Sequence, residues 1–232
     1  MSTLSKMLKQ CRKPTGWLGR AVARGMNLSH SKLTDWGLSH ISIGENATIL
    51  DIGCGGGGTV RKLARMAARG MIFGIDYSED SVRISRQANK ASIQAGRVEI
   101  LEGFVSSLPF PDGMFDLITA IETHYFWPDL ANDLKEVLRV LKPGGTLLMA
   151  GGEYQSGKYD ERNQKWVEFG DMTYLGIEQF KGLFSRAGYE EVQVFEDYAK
   201  GWMCGVGKRA KKLLNPLIPA NFRQSFQGVS GD

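Results

Sequence analysis

The residues best suited to chemistry lie in Ile49-Leu50-Asp51-Ile52-Gly53-Cys54-Gly55-Gly56-Gly57-Gly58, where five of the last six positions are glycine. An apolar run ending in glycines and opening into a helix (Thr59–Arg69) lets backbone approach a ligand closely. The helix start supplies unpaired N–H groups. Gly53, Gly55 and Gly58 also satisfy the dinucleotide pattern G-x-G-x-x-G, but so dense a glycine run satisfies several patterns at once. Asp51 discriminates between them. A carboxylate inside the strand, two residues before the first glycine, repels a diphosphate and suits a cationic amino-acid group; capping backbone N–H groups of its own turn is compatible with that role. Asp76 closes Phe73-Gly74-Ile75-Asp76, where an acid can take both hydroxyls of a ribose.

A second cluster, Ile121-Glu122-Thr123-His124-Tyr125-Phe126-Trp127, holds the candidates for proton transfer. His124 has the intrinsic pKa of a general base, and Glu122 is either a base, a partner for an ammonium group or a structural carboxylate. Surface or supporting histidine is the alternative for His124. Tyr154 and Lys158 match the Tyr-x-x-x-Lys spacing of short-chain dehydrogenases. Gly151, Gly152 and Gly157 oppose the single helix that pair requires, and position 141, where its serine belongs, is Leu141.

The elements that must position these residues read as an α/β chain. Strand-like runs are Thr48–Gly53, Met71–Asp76, Val98–Glu102, Phe115–Ile121, Thr146–Ala150, Glu191–Glu196 and Gly201–Val206. Ser78 caps a helix with Glu79 and Asp80 at its positive end. Pro128 opens another, whose Leu130, Leu134, Val137, Leu138 and Leu141 share a face, and Lys142-Pro143-Gly144-Gly145 turns the chain out of it. A third spans Leu175–Ala187 and ends at Gly188. Two strands then follow without a helix between them, so the last runs antiparallel. The predicted fold is a Rossmann-like, doubly wound, seven-stranded, mostly parallel sheet with an antiparallel last strand and an N-terminal helical cap. Its parts are a cap over 1–44, a ligand-binding domain over 45–207 and a basic tail over 208–232. Residues 151–172 read as a long polar and aromatic connection.

Composition agrees with one globular domain: 232 residues, 42% hydrophobic and 23% charged, with no low-complexity tract or repeat. No apolar run reaches the roughly 18 residues of a membrane span, and residues 1–15 lack a signal-peptide core. Cys11, Cys54 and Cys204 form no metal-like pair and read as reduced thiols, which points to the cytoplasm. The net charge of +4 is uneven: residues 1–40 carry seven Lys/Arg against Asp35, and 199–232 carry six against Asp232. Basic ends around an acidic centre are compatible with a solvated rim or with peripheral contact to anionic lipid. They are not interleaved with a nucleic-acid recognition motif. Oligomeric state is not legible.

Taken with three further blocks in order, the glycine loop resembles motif I of the class I S-adenosylmethionine-dependent methyltransferases. The blocks are Gly74-Ile75-Asp76-Tyr77-Ser78, Leu108-Pro109-Phe110-Pro111-Asp112-Gly113-Met114-Phe115-Asp116-Leu117 and Leu138-Arg139-Val140-Leu141-Lys142-Pro143-Gly144-Gly145. The similarity covers roughly 45–207 and points to the small-molecule branch that includes quinone- and sterol-methylating enzymes. It implies S-adenosylmethionine as cofactor, S-adenosylhomocysteine as product and a small, partly apolar acceptor. It sets the Gly53–Gly57 backbone, with Cys54, Gly55 and Gly57, against the methionine moiety, Asp76 on the ribose and Tyr77 on the adenine. Phe104 and Val105 fall at the base edge, and Ile121 also falls to the cofactor. Relatives often carry an acid or amide where this chain has Phe104, leaving the Val105 N–H as the polar contact. The alternatives are a non-catalytic, methyltransferase-like binding or scaffold protein and, further off, an NAD-dependent oxidoreductase.

Overall fold

The computed structural model describes residues 30–170 and 172–211, without the side chains of 165, 166, 169 and 170. The chain enters through α1 (Ser31–Leu38), β1 (Thr48–Ile52), α2 (Gly58–Met66), β2 (Met71–Asp76), α3 (Glu79–Ala88), α4 (Lys90–Gln94) and β3 (Val98–Glu102). It continues through β4 (Phe115–Ile121), a 3-10 turn (His124–Phe126), α5 (Leu130–Val140), β5 (Leu141–Gly151), α6 (Asp160–Gly170), α7 (Ile177–Ala187), β6 (Tyr189–Asp197) and β7 (Trp202–Arg209). The strands form one seven-stranded sheet in the order β3-β2-β1-β4-β5-β7-β6. Only β7 runs opposite to the other six strands.

Alternation along the central strands divides the core into two layers. Leu50, Ile52, Leu147 and Met149 face a cluster with Leu134 and Val137 of α5 and Phe180 and Phe184 of α7. Ile49, Leu148 and Ala150 face the opposite cluster, with Leu33 and Leu38 of α1, Val60 and Leu63 of α2, and Val82 of α3. Gly37 lets α1 lie close on β5, since a Cβ there would stand 3.3 Å from that of Ala150.

Local signals hold with three corrections. Ser78 caps α3, accepting from the Ser81 N–H, and Gly188 ends α7 at φ 98°. Pro128, however, stands two residues ahead of α5: Asp129 is the cap and accepts from the Asn132 N–H. Lys142–Gly145 does not leave the sheet. It begins β5, which pairs with β4 across a register shift between Phe115 and Leu117. The connection over 151–172 carries α6, beginning beyond the three glycines that oppose a helix. Of the cap and tail expected over 1–44 and 208–232, residues 1–29 and 212–232 lie outside the described residues, and β7 extends through Arg209. Among the described residues no helix is long and apolar enough to cross a membrane.

Candidate active site

Strand order reverses between β1 and β4, which opens a crevice at the carboxyl ends of β1, β2 and β4. A cavity of about 200 Å3 lies there, walled by Gly53, Asp76, Tyr77, Phe104, Val105, Thr123, Phe126 and Trp127, among others. The glycine loop takes this shape because Gly53, Gly55 and Gly57 all have left-handed φ, at 69°, 51° and 77°. Gly57 caps α2, and a Cβ on it would meet Asn89 Nδ2 at 2.4 Å. Asn89 Nδ2 instead donates to the Gly57 carbonyl, tying loop to α3.

Asp76 is 7% exposed and holds the loop from the other side. Its Oδ2 accepts from Gly55 N at 2.9 Å and its Oδ1 from Ser78 N at 2.9 Å. Burial raises its pKa and these two N–H donors pull it back. Each oxygen retains a lone pair for a further donor. Tyr77 and Phe104 form one flank, ring centroids 6.3 Å apart, with Phe104 60% exposed. Trp127 also lines the cavity, its buried Nε1 without a hydrogen-bond partner.

Asp51 is placed differently from these. It shares a face of the sheet with Thr119, its register partner on β4, and accepts from Thr119 Oγ1 at 2.7 Å beneath the loop. It is 2% exposed and burial pushes its pKa up to about 7, with the Thr119 hydroxyl opposing and the Asp76 charge adding to the rise. Neither Asp51 nor Cys54, Gly55, Gly57 or Ile121 is among the cavity's walls. Cys54 and Cys204 are buried free thiols.

The proton-transfer candidates separate. His124 does not line the cavity; it is 4% exposed and packs against Tyr125 and Phe180, with Nδ1 unpartnered. Burial pulls its pKa down to about 3, so the ring is neutral and a poor proton acceptor. The folded protein then binds fewer protons here than the unfolded chain, whose histidine titrates near ~6.5. This contribution to stability is complete above that pH and is lost as pH falls toward the folded value. His124→Phe should therefore gain on wild type in urea-unfolding free energy as pH drops from 7 to 5, by at most ~1.4 kcal/mol per pH unit. Parallel profiles would contradict that.

Glu122, like His124, is not among the cavity's walls, although Thr123 beside it is; its φ is 58°, a left-handed conformation unusual outside glycine. Its N–H donates to the Ala150 carbonyl at 2.8 Å, and its Oε2 accepts from the Tyr125 hydroxyl. It also meets Glu153, a residue that sequence reasoning missed. Burial and the Glu122 charge push the Glu153 pKa up to about 8. Two acids just past the ends of different strands were visible in the sequence, but their adjacency needed the β4–β5 register. Tyr154 and Lys158 do not form a catalytic pair: the Tyr154 hydroxyl donates to Glu196 at 2.8 Å, while Lys158 reaches the carbonyls of Tyr198 and Ala199.

Comparison with known proteins adds an independent line. Residues 50–149 match the family described as a methyltransferase domain. A demethylmenaquinone methyltransferase of Bacillus cereus is 29% identical over 170 residues, covering 62% of this chain and 70% of the relative. An S-adenosylmethionine-dependent methyltransferase structure from Aquifex aeolicus superposes with a TM-score of 0.66 at 20% identity, covering 88% of this chain and 97% of that one. A chain from a complex with the Haloferax volcanii Trm112 methyltransferase activator gives 0.73 at 24%, covering 84% and 95%.

Proposed function

We propose that the chain is a class I S-adenosylmethionine-dependent methyltransferase that methylates a small, partly apolar molecule held over the ends of β4 and β5. The observation that carries this reading is the cavity itself. Its walls combine a glycine-lined floor, a carboxylate with spare lone pairs and aromatic flanks.

The residues present fit the cofactor. Asp76 has acceptor capacity for the ribose hydroxyls, Tyr77, Phe104 and Trp127 offer faces for the adenine, and the Val105 N–H serves the base edge. The loop of Gly53, Cys54, Gly55 and Gly57, with Ile121, supports the methionine end, and buried Asp51 supplies negative potential beneath it. When bound, the cofactor supplies an already activated methyl group. What this chain contributes is alignment of the acceptor, exclusion of water and, where the acceptor loses a proton, a base. The enclosed, neutral His124 suits packing better than that last role.

The Bacillus relative's name indicates a quinone-type acceptor for that enzyme, and an aromatic, hydroxylated ring suits this chain too. Calorimetry with S-adenosylhomocysteine tests the cofactor reading: binding is expected, and NAD(H) binding in its place would reverse it. Transfer of labelled methyl to 1,4-dihydroxynaphthalene tests the acceptor class.

Asp51 gives the binding step a pH dependence of known sign. A cationic ligand above it favours the ionised carboxylate, and with a pKa of about 7 in the free protein the proton must leave first at lower pH. Affinity for S-adenosylmethionine should rise with pH, by at most ~10-fold per unit, and level off above 7. Calorimetry in buffers of different ionisation enthalpy should detect the released proton below pH 7. Asp51→Asn should flatten the profile; an unchanged profile would remove Asp51 from this role.

A further inference from the structure

We propose that the nucleobase end of the cavity holds a purine by its ring faces and one backbone N–H, with no protein acceptor for the 6-amino group. The site then takes cofactor analogues altered at purine position 6 nearly as well as the natural ligand. This rests on the methyltransferase reading and adds to it the base selectivity of the same site.

The cavity crosses three strand ends, with Gly53 past β1, Asp76 and Tyr77 at the end of β2, and Gly103, Phe104 and Val105 past β3. Neighbouring strands lie ~4.8 Å apart. A nucleoside with its ribose on Asp76 and its sulfur over Gly53 therefore carries its base to residues 103–105. That segment is fixed in place. β3 pairs with β2 as far as Glu102 beside Asp76, and the Gly103 N–H donates to the Asp76 carbonyl at 3.1 Å. The Phe104 carbonyl accepts from the Ser107 N–H at 3.2 Å.

An exocyclic amino group needs an acceptor, and the side chains at this end supply none. Gly103, Phe104 and Val105 carry no polar side-chain atom, and Phe104 stands where the resemblance leads to an acid or an amide. Elsewhere on the walls, Thr123 follows β4, on the far side of β1, and the Trp127 indole only donates. Asp76 accepts from the Gly55 and Ser78 N–H groups, and its spare capacity goes to the ribose. Stacking on the rings of Tyr77 and Phe104 senses the face of a base rather than its substituents. This end is also open, because Phe104 is 60% exposed and Ser106 and Ser107 are exposed. Water reaches the group at position 6 and takes the place of a protein acceptor, so little is lost when the amino group is absent. A bulkier group passes outward beside the Phe104 ring.

The test is calorimetry on the full chain with three ligands: S-adenosylhomocysteine, its analogue with hydrogen in place of the 6-amino group, and its N6-benzyl analogue. Wild type should bind the first two within about 5-fold of one another and the N6-benzyl analogue within about 10-fold. Phe104→Asp supplies the missing acceptor. In that variant the preference for S-adenosylhomocysteine over the hydrogen analogue should open to roughly 10-fold or more, the scale of a hydrogen bond to a charged group. Phe104→Ala should weaken both of those ligands about equally, by roughly 5-fold, because it removes ring contact alone. A larger wild-type preference would show that the Tyr77 hydroxyl or a backbone carbonyl takes the amino group, and would overturn the proposal. A preference left unchanged by Phe104→Asp, or a larger loss with the N6-benzyl analogue, would overturn it as well. Each of those outcomes leaves the methyltransferase reading standing, since S-adenosylhomocysteine still binds. If wild type binds none of the three, that reading falls and the proposal with it.

Discussion

Asp76→Ala should weaken S-adenosylhomocysteine binding by roughly 100- to 10,000-fold, the equivalent of two hydrogen bonds to a charged group at ~1.5–3 kcal/mol each. The carboxylate does two jobs at once. Its oxygens hold the Gly55 and Ser78 N–H groups, fixing loop and helix start, and the residue also borders the cavity with acceptor capacity to spare. Alanine removes both the proposed ribose contacts and the clamp on the loop. Asp76→Asn separates them, because an amide keeps one acceptor oxygen but presents an NH2 to a backbone N–H. Its binding should fall between wild type and alanine. The core residues of β2 do not depend on this side chain, so circular dichroism should show a folded sheet in both variants. Affinity within 3-fold of wild type for Asp76→Ala would remove the ribose role.

Gly53→Ala should be nearly as damaging, for steric reasons. A Cβ on Gly53 would stand 2.2 Å from Thr123 Oγ1 and 2.8 Å from Thr123 Cβ, and φ of 69° strains any residue with a side chain. The strain alone is worth roughly 1–3 kcal/mol. Relief of the clash must push the glycine loop away from the end of β4, the two walls between which the cavity forms. Loss of cofactor binding and a lower unfolding temperature are expected together. Adding Thr123→Gly supplies the space but not the backbone freedom, so the double variant should recover stability in part. Wild-type affinity in Gly53→Ala would show that the loop and the β4 end are not coupled in this way.

Much of this was legible in the chain, and for identifiable reasons. The strand cores were readable because consecutive apolar residues in a doubly covered sheet leave a run, and Ser78 and Gly188 because caps are local events. Pro128 misled because a proline suits the residues just outside a helix as well as its first turn, and Asp129 was the better cap. Lys142–Gly145 misled because glycine and proline also mark a strand that begins beside a register shift.

At the site the division follows the range of the interactions. Glycines that need left-handed φ, and acids at strand ends, carry their meaning in their own neighbourhood, so Gly53, Gly57, Asp51 and Asp76 could be singled out from order alone. Exposure and protonation could not, since they depend on what distant segments lay over a group. Tertiary structure put Asp51 beneath the loop against Thr119, 68 residues on, and enclosed His124 between aromatic rings. It also brought Glu153 to Glu122 by setting β5 beside β4. Sequence order determined which groups were available at the edge of the sheet; packing decided which of them meet, which keep a proton and which face the cavity.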